Sequence, residues 1–189
     1  MKILMQTPFS ALNAFVIVLG LLTILQACAD TREDPDSKSH DRWAPFRPPM
    51  GHWKGVGHGP TGESVQETEW NLVLNGTFLQ CKSSSKARGD HHQDIGLISY
   101  DQSRKKYVYR AFHSEGFVNR YLVELSSDRR KIVFTSEAIE NGPQGLKAME
   151  VIEFKNGKLE TTLKLASGVG PYEVCASRKL ARVESERRD

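Results

Sequence analysis

The groups with the widest chemical reach in this chain are six histidines, at 40, 52, 58, 91, 92 and 113, and three cysteines, at 28, 81 and 175. His91-His92 sits in "RGDHHQD" beside Asp90 and Asp94, a mix of imidazole and carboxylate that suits a borderline metal. Adjacent residues of a strand point to opposite faces, so the two imidazoles converge only in a turn. The preferred reading is a solvated loop and no metal site. His113 ends "KYVYRAFH" (106–113), where Tyr107, Tyr109, Ala111 and His113 share one face of a strand and Val108, Arg110 and Phe112 the other. The next run places Phe117, Asn119, Tyr121 and Val123 on one face. An inward His113 among tyrosines would suit a polar ligand; the plainer reading is a hydrogen-bonded structural histidine. Candidate ligand contacts are thus Trp53, Tyr107, Tyr109, His113 and Tyr121.

Nothing assembles a catalytic centre. The chain has no Gly-x-Ser-x-Gly elbow, no His-Glu-x-x-His and no Cys-x-x-Cys. No catalytic residue is assigned, and a non-enzymatic role is preferred. Gly51, Gly55, Gly57 and Gly59 surround Trp53, but a further strand follows them, so no helix offers its amino end to a phosphate. Those glycines mark a strand that bends and approaches another backbone closely, with Trp53 plugging an end of the fold. The net charge of +3 comes without a basic cluster: "SDRRK" (127–131) and "ESERRD" (184–189) are short and broken by acids. A nucleic-acid interface needs a clustered basic face, so that class is set aside.

The elements around these residues begin with an address. Lys2 is the sole charge before Asp30, and "ALNAFVIVLGLLTIL" (11–25) is almost wholly apolar. It is shorter than the ~20 residues of a spanning helix. A positive start, an apolar run and a small residue before polar sequence describe a secretory signal peptide over 1–27. "LQAC" (25–28) resembles the lipobox of bacterial lipoproteins. That resemblance implies cleavage between Ala27 and Cys28, lipidation of Cys28 and attachment to a membrane of the cell envelope. Ala29, in place of Asp, favours the outer membrane where the host has two. Stable anchoring takes more than one acyl chain, which this modification supplies.

Residues 28–48 read as a flexible tether. Charges crowd 30–41, Pro45, Pro48 and Pro49 follow, and no hydrophobic period appears. Trp43 and Phe46 are unusual there and raise the alternative that this segment docks on the domain. Over 49–183 the pattern changes to short β-branched and aromatic runs of period near two, separated by turn signals. About ten strands follow one another at 51–57, 63–74, 77–85, 92–100, 106–113, 116–125, 131–139, 146–154, 158–166 and 171–183. Asn75-Gly76 and Asn156-Gly157 mark two of the hairpins. The expected fold is all-β, a closed or nearly closed antiparallel up-and-down barrel, because closure removes edges that would aggregate. A two-sheet sandwich is the alternative, and 184–189 is a charged tail.

"GHWKGVGHG", "ETEWNLVLNGTFLQ" and "IGLISYDQSRKKYV" together resemble calycin-like barrels related to nitrobindin, in an uncharacterised bacterial branch. The resemblance spans about 49–183. It implies ten strands around a cavity that in related proteins holds a lipid-like ligand or haem. Haem-binding relatives carry a histidine late in the chain and none follows His113 here, so no cofactor is expected and haem remains the lesser alternative.

With Cys28 lipidated, Cys81 and Cys175 remain as a candidate disulfide, which an oxidising envelope permits. In a closed meander they fall about two strands apart, ~10 Å at ~4.8 Å per strand. That exceeds the usual ~7 Å Cα limit, so a bridge needs a distorted barrel and two buried thiols are preferred. The functional expectation is an envelope lipoprotein whose barrel binds a small apolar or amphipathic ligand. The rival is a structural lipoprotein with a filled barrel that docks an envelope partner, and a barrel that isomerises or reduces small reactive molecules is a lesser alternative.

Overall fold

The computed structural model describes residues 41–184. The expected signal peptide, the Ala27–Cys28 cleavage point, lipidated Cys28, most of the tether and the tail beyond Glu184 lie outside the described residues. Each run read as a strand is one: β1 (Gly51–Gly59), β2 (Gly62–Val73), β3 (Phe78–Ala87), β4 (Asp90–Asp101), β5 (Lys106–His113), β6 (Val118–Leu125), β7 (Lys131–Glu140), β8 (Leu146–Lys155), β9 (Lys158–Ser167) and β10 (Glu173–Arg182). They pair in the order β1-β10-β9-β8-β7-β6-β5-β4-β3-β2, an antiparallel meander that closes into a barrel. Closure is the β1–β10 ladder, in which Trp53 faces Arg182 and Gly55 faces Leu180.

Turn chemistry sets the register. Asn75 and Gly76 both take positive φ, 56° and 78°, and the Thr77 N–H donates to the Leu74 carbonyl at 3.1 Å. This is the mirror-image turn whose twist matches that of the strands it joins. Asn156-Gly157 repeats the positive-φ pair between β8 and β9, at 51° and 71°. Side-chain alternation then sorts the faces: Tyr109 and Ala111 of β5 are buried while Arg110 and Phe112 face out. The interior is apolar and aromatic at one end, around Trp53, Trp70, Leu79, Ile98, Phe134 and Leu180.

That end is sealed by residues the sequence reading gave to the tether. The compact unit starts at Arg42, not at 49. Pro45 fixes a 3₁₀ turn at Ala44–Phe46, and Phe46 is fully buried. The Phe46 ring meets Tyr107 edge-on at 5.0 Å, and the Trp43 indole donates to the Gly76 carbonyl at 2.7 Å. Trp53 donates to the Pro49 carbonyl at 2.7 Å while the Arg182 guanidinium stacks over its ring at 4.3 Å. The prolines make this segment non-periodic, but its aromatic side chains have an apolar end to cover, and burying them outweighs what composition suggests.

The cysteine geometry also needs correction. Cys81 lies on β3 and Cys175 on β10, and the ring order β10-β1-β2-β3 makes that three ladder steps rather than two. Both thiols are free. Cys81 is buried and burial pushes its thiol up to about 12, whereas Cys175 sits half-buried where the β10 ladder slips between Val174 and Ala176. Thiolate is the reactive form, so the two should part company chemically. At pH 8, maleimide labelling of the folded protein followed by peptide mapping should modify Cys175 and leave Cys81 intact until denaturant is added. Equal labelling of both would show that reagent reaches Cys81 in the folded protein, through the barrel interior it faces or through an opened wall.

Candidate functional site

Opposite the sealed end the barrel is open, and a cavity of about 390 Å³ runs inward from it. Its rim is formed by the β1–β2 turn at 59–62, Phe117 before β6 and the β7–β8 loop at Gly142-Pro143. Its two sides differ in kind. Inward positions of β2 and β3 bring Ser64, Gln66, Thr68, Ser83 and Ser85 into one polar wall. These groups are knitted together: Gln66 Nε2 donates to Ser64 Oγ and Ser85 Oγ, both at 2.7 Å. Half the ring away, β7 to β9 contribute Phe134, Ile139, Ile152, Leu159, Leu163 and Leu165. The floor is aromatic, with Tyr109 stacked on Tyr121 at 5.9 Å and edge-on to Phe134 at 5.4 Å. Gly96 makes this floor fit, since a Cβ there would stand 2.2 Å from the Tyr109 ring.

Charge is placed inside the barrel as well. Arg178 of β10 and Glu150 of β8 form an ion pair within the cavity lining, both largely buried. A buried charge is costly unless paired, which explains why these two point at each other across an intervening strand. Three further buried polar atoms on the lining have no hydrogen-bond partner among the described residues: His113 Nδ1, Asn119 Oδ1 and Thr161 Oγ1. Each such group costs about 1–3 kcal/mol until something satisfies it.

The candidate residues separate cleanly on this geometry. Tyr109, His113 and Tyr121 line the cavity. Trp53 and Tyr107 do not: Trp53 is the plug described above, and the Tyr107 hydroxyl donates to the Arg42 carbonyl at the sealed end. His113 is seated by a stacked Phe117 ring at 4.1 Å and by Asn119 Nδ2, 3.2 Å from its Nε2. Burial lowers its pKa. Burial likewise raises the hydroxyls of Tyr109 and Tyr121, so both remain neutral donors.

The "RGDHHQD" stretch is not a loop. β4 begins at Asp90, so His91 faces solvent and His92 turns inward. His92 therefore meets Asp94, two residues on, with Nε2 3.6 Å from Oδ2, and its Nδ1 contacts Glu115 Oε1 at 2.7 Å. The adjacent Asp94 carboxylate and the Glu115 carboxylate bonded to Nδ1 raise the His92 pKa to about 9. Across the β4–β5 ladder Asp94 is paired with His113.

Three features escaped the sequence reading: the polar wall, the Arg178–Glu150 pair and the His92–Asp94–His113 grouping. The signal for the first two was parity. Ser64, Gln66 and Thr68 keep step with buried Trp70, Arg178 with Leu180, and Glu150 with Ala148 and Ile152. A polar residue on an apolar period is either an error of register or a cavity.

No protein-family model matches the chain, and a search of curated proteins finds no match. Among solved structures, the crystal structure of Rv2717c from M. tuberculosis is similar, with a TM-score of 0.62 at 17% identity. The similarity covers 77% of this chain and 99% of that chain. A likeness at that identity establishes a shared fold, and the barrel is that fold.

Proposed function

We propose that this chain is a cell-envelope lipoprotein, held to a membrane through lipidated Cys28, whose barrel binds a small amphipathic molecule. The observation that most supports ligand binding is the two-sided cavity, while the anchor rests on the lipobox resemblance. An apolar wall of β7–β9 side chains faces a wall of hydroxyls and an amide, with unsatisfied polar atoms between them. Pockets of this kind bury a ligand's apolar body and orient it with a few placed polar groups. The ligand class is a molecule with one apolar flank and one polar edge, not a uniformly greasy chain. The resemblance to calycin-like barrels points the same way. A cavity of about 390 Å³ also argues against the filled barrel of the rival reading.

Native mass spectrometry of protein purified from its own host should show an additional bound mass. Ala148 is fully enclosed on the apolar side of the lining, so Ala148→Trp should abolish that mass while leaving a folded barrel. Repeated recovery of an empty wild-type barrel would return the reading to an interaction lipoprotein. Palmitate labelling of host cells tests the anchor, and it should disappear in Cys28→Ala.

A further inference from the structure

We infer that His92, Asp94 and His113 form a divalent transition-metal site at the mouth of the cavity. The site goes beyond the ligand-binding reading and does not depend on it.

One ligand atom from each residue lies within 4.8 Å of the other two. Two imidazoles bound to one tetrahedral zinc ion, at ~2.0–2.1 Å each, stand about 3.4 Å apart, so a small rotamer adjustment closes the set. The backbone already does most of the positioning. His92 and Asp94 occupy alternate positions of β4 and share its inner face, and the ladder puts His113 directly opposite Asp94. Three donors on two hydrogen-bonded strands form a rigid platform, which metal sites favour over loops.

The surroundings resemble a prepared site more than a chance cluster. Glu115 contacts His92 Nδ1 at 2.7 Å, leaving Nε2 directed at Asp94. A carboxylate behind a histidine fixes the ring and raises its basicity as a ligand. His113 is arranged in a parallel way, since Asn119 sits on Nε2 while Nδ1 is buried with no partner among the described residues. An Asn119 carboxamide turned over would accept from Nε2–H and from the Tyr121 hydroxyl, leaving Nδ1 with a free lone pair. Amide orientation of this kind is set by the network around it. A metal on Nδ1 satisfies an atom that otherwise costs stability.

The donor set narrows the ion. Two imidazoles and one carboxylate suit zinc, iron, cobalt or nickel and are poor for calcium or magnesium. All three residues line the cavity, so the remaining coordination positions open inward. Three protein ligands with an open position are the arrangement of zinc sites that bind exogenous groups. Such an ion would hold water or the anionic end of a molecule lodged between the two walls.

Calorimetric titration of metal-free full-length chain in detergent with zinc chloride should give one equivalent bound. His92→Gln, Asp94→Asn and His113→Gln should each weaken that binding at least tenfold. Glu115→Gln should weaken it about 10–100-fold, as loss of an outer carboxylate does elsewhere. His91→Gln should leave it unchanged. Zinc should raise the melting temperature of the wild type and not of the three ligand variants. If a variant fails to fold, X-ray absorption of the zinc-loaded wild type decides alone, with imidazole and oxygen donors expected. Absence of stoichiometric binding, thiolate donors, or wild-type affinity in any folded ligand variant would overturn the site.

Discussion

Phe46→Ala should destabilise the barrel by about 3–5 kcal/mol, the range for truncating a fully buried aromatic. Phe46 has no exposed surface and packs on Tyr107 beside Trp43, in a segment with the composition of a linker. Its ring closes one end of the barrel interior, so alanine opens a cavity that rigid strands collapse into poorly. The melting temperature should fall by roughly 10–15 °C for a domain of this size. Val169→Ala, at a fully exposed position, is the matched control and should change nothing measurable. A loss below about 1 kcal/mol at Phe46 would mean that residues 42–50 are not part of the cooperative unit.

The second large effect belongs to Gly55. A Cβ there would lie 2.1 Å from the Lys179 carbonyl oxygen and 2.9 Å from Leu180 Cα, both backbone atoms of β10. Backbone in a ladder cannot rotate away, so Gly55→Ala must separate the two strands that close the ring. We expect a loss of about 3 kcal/mol, at the top of the usual range for overpacking. Gly59 of the same strand is the internal comparison. Its added Cβ would meet Ala176 Cβ at an ordinary 3.5 Å, so Gly59→Ala should stay within about 0.5 kcal/mol. Equal chemical unfolding midpoints for the two variants would sink the account of closure.

How far the sequence carries depends on the range of the interaction. Strand positions and the Asn75-Gly76 turn were legible because alternation and positive φ are local demands. Barrel closure was legible because a long meander has edges to hide. Trp43 and Phe46 were ambiguous, since a composition-based reading sees prolines and charges and has no account of an uncovered barrel end. The grouping of His92, Asp94 and His113 was hidden by one step. It required the register of the β4–β5 hairpin, where Asp101 pairs with Lys106 and the ladder then runs back to Asp94 against His113. Counting back from the "DQSRK" turn would have found it. The Arg178–Glu150 pair spans two non-adjacent strands, and no local pattern announces such a partner.

The ladder that closes the ring has a consequence in time. β1 bonds β2 through a tight turn, yet its other edge waits for β10, the last strand of the barrel in chain order. Every other neighbouring pair is sequential and zips through short loops, while this one joins opposite ends of the domain, and the entropy of bringing them together is spent before any contact returns it. The slow step in folding is therefore expected to be the meeting of β1 with β10, where Trp53 faces Arg182. Until it occurs the curled sheet carries two adhesive margins, vulnerable to other chains.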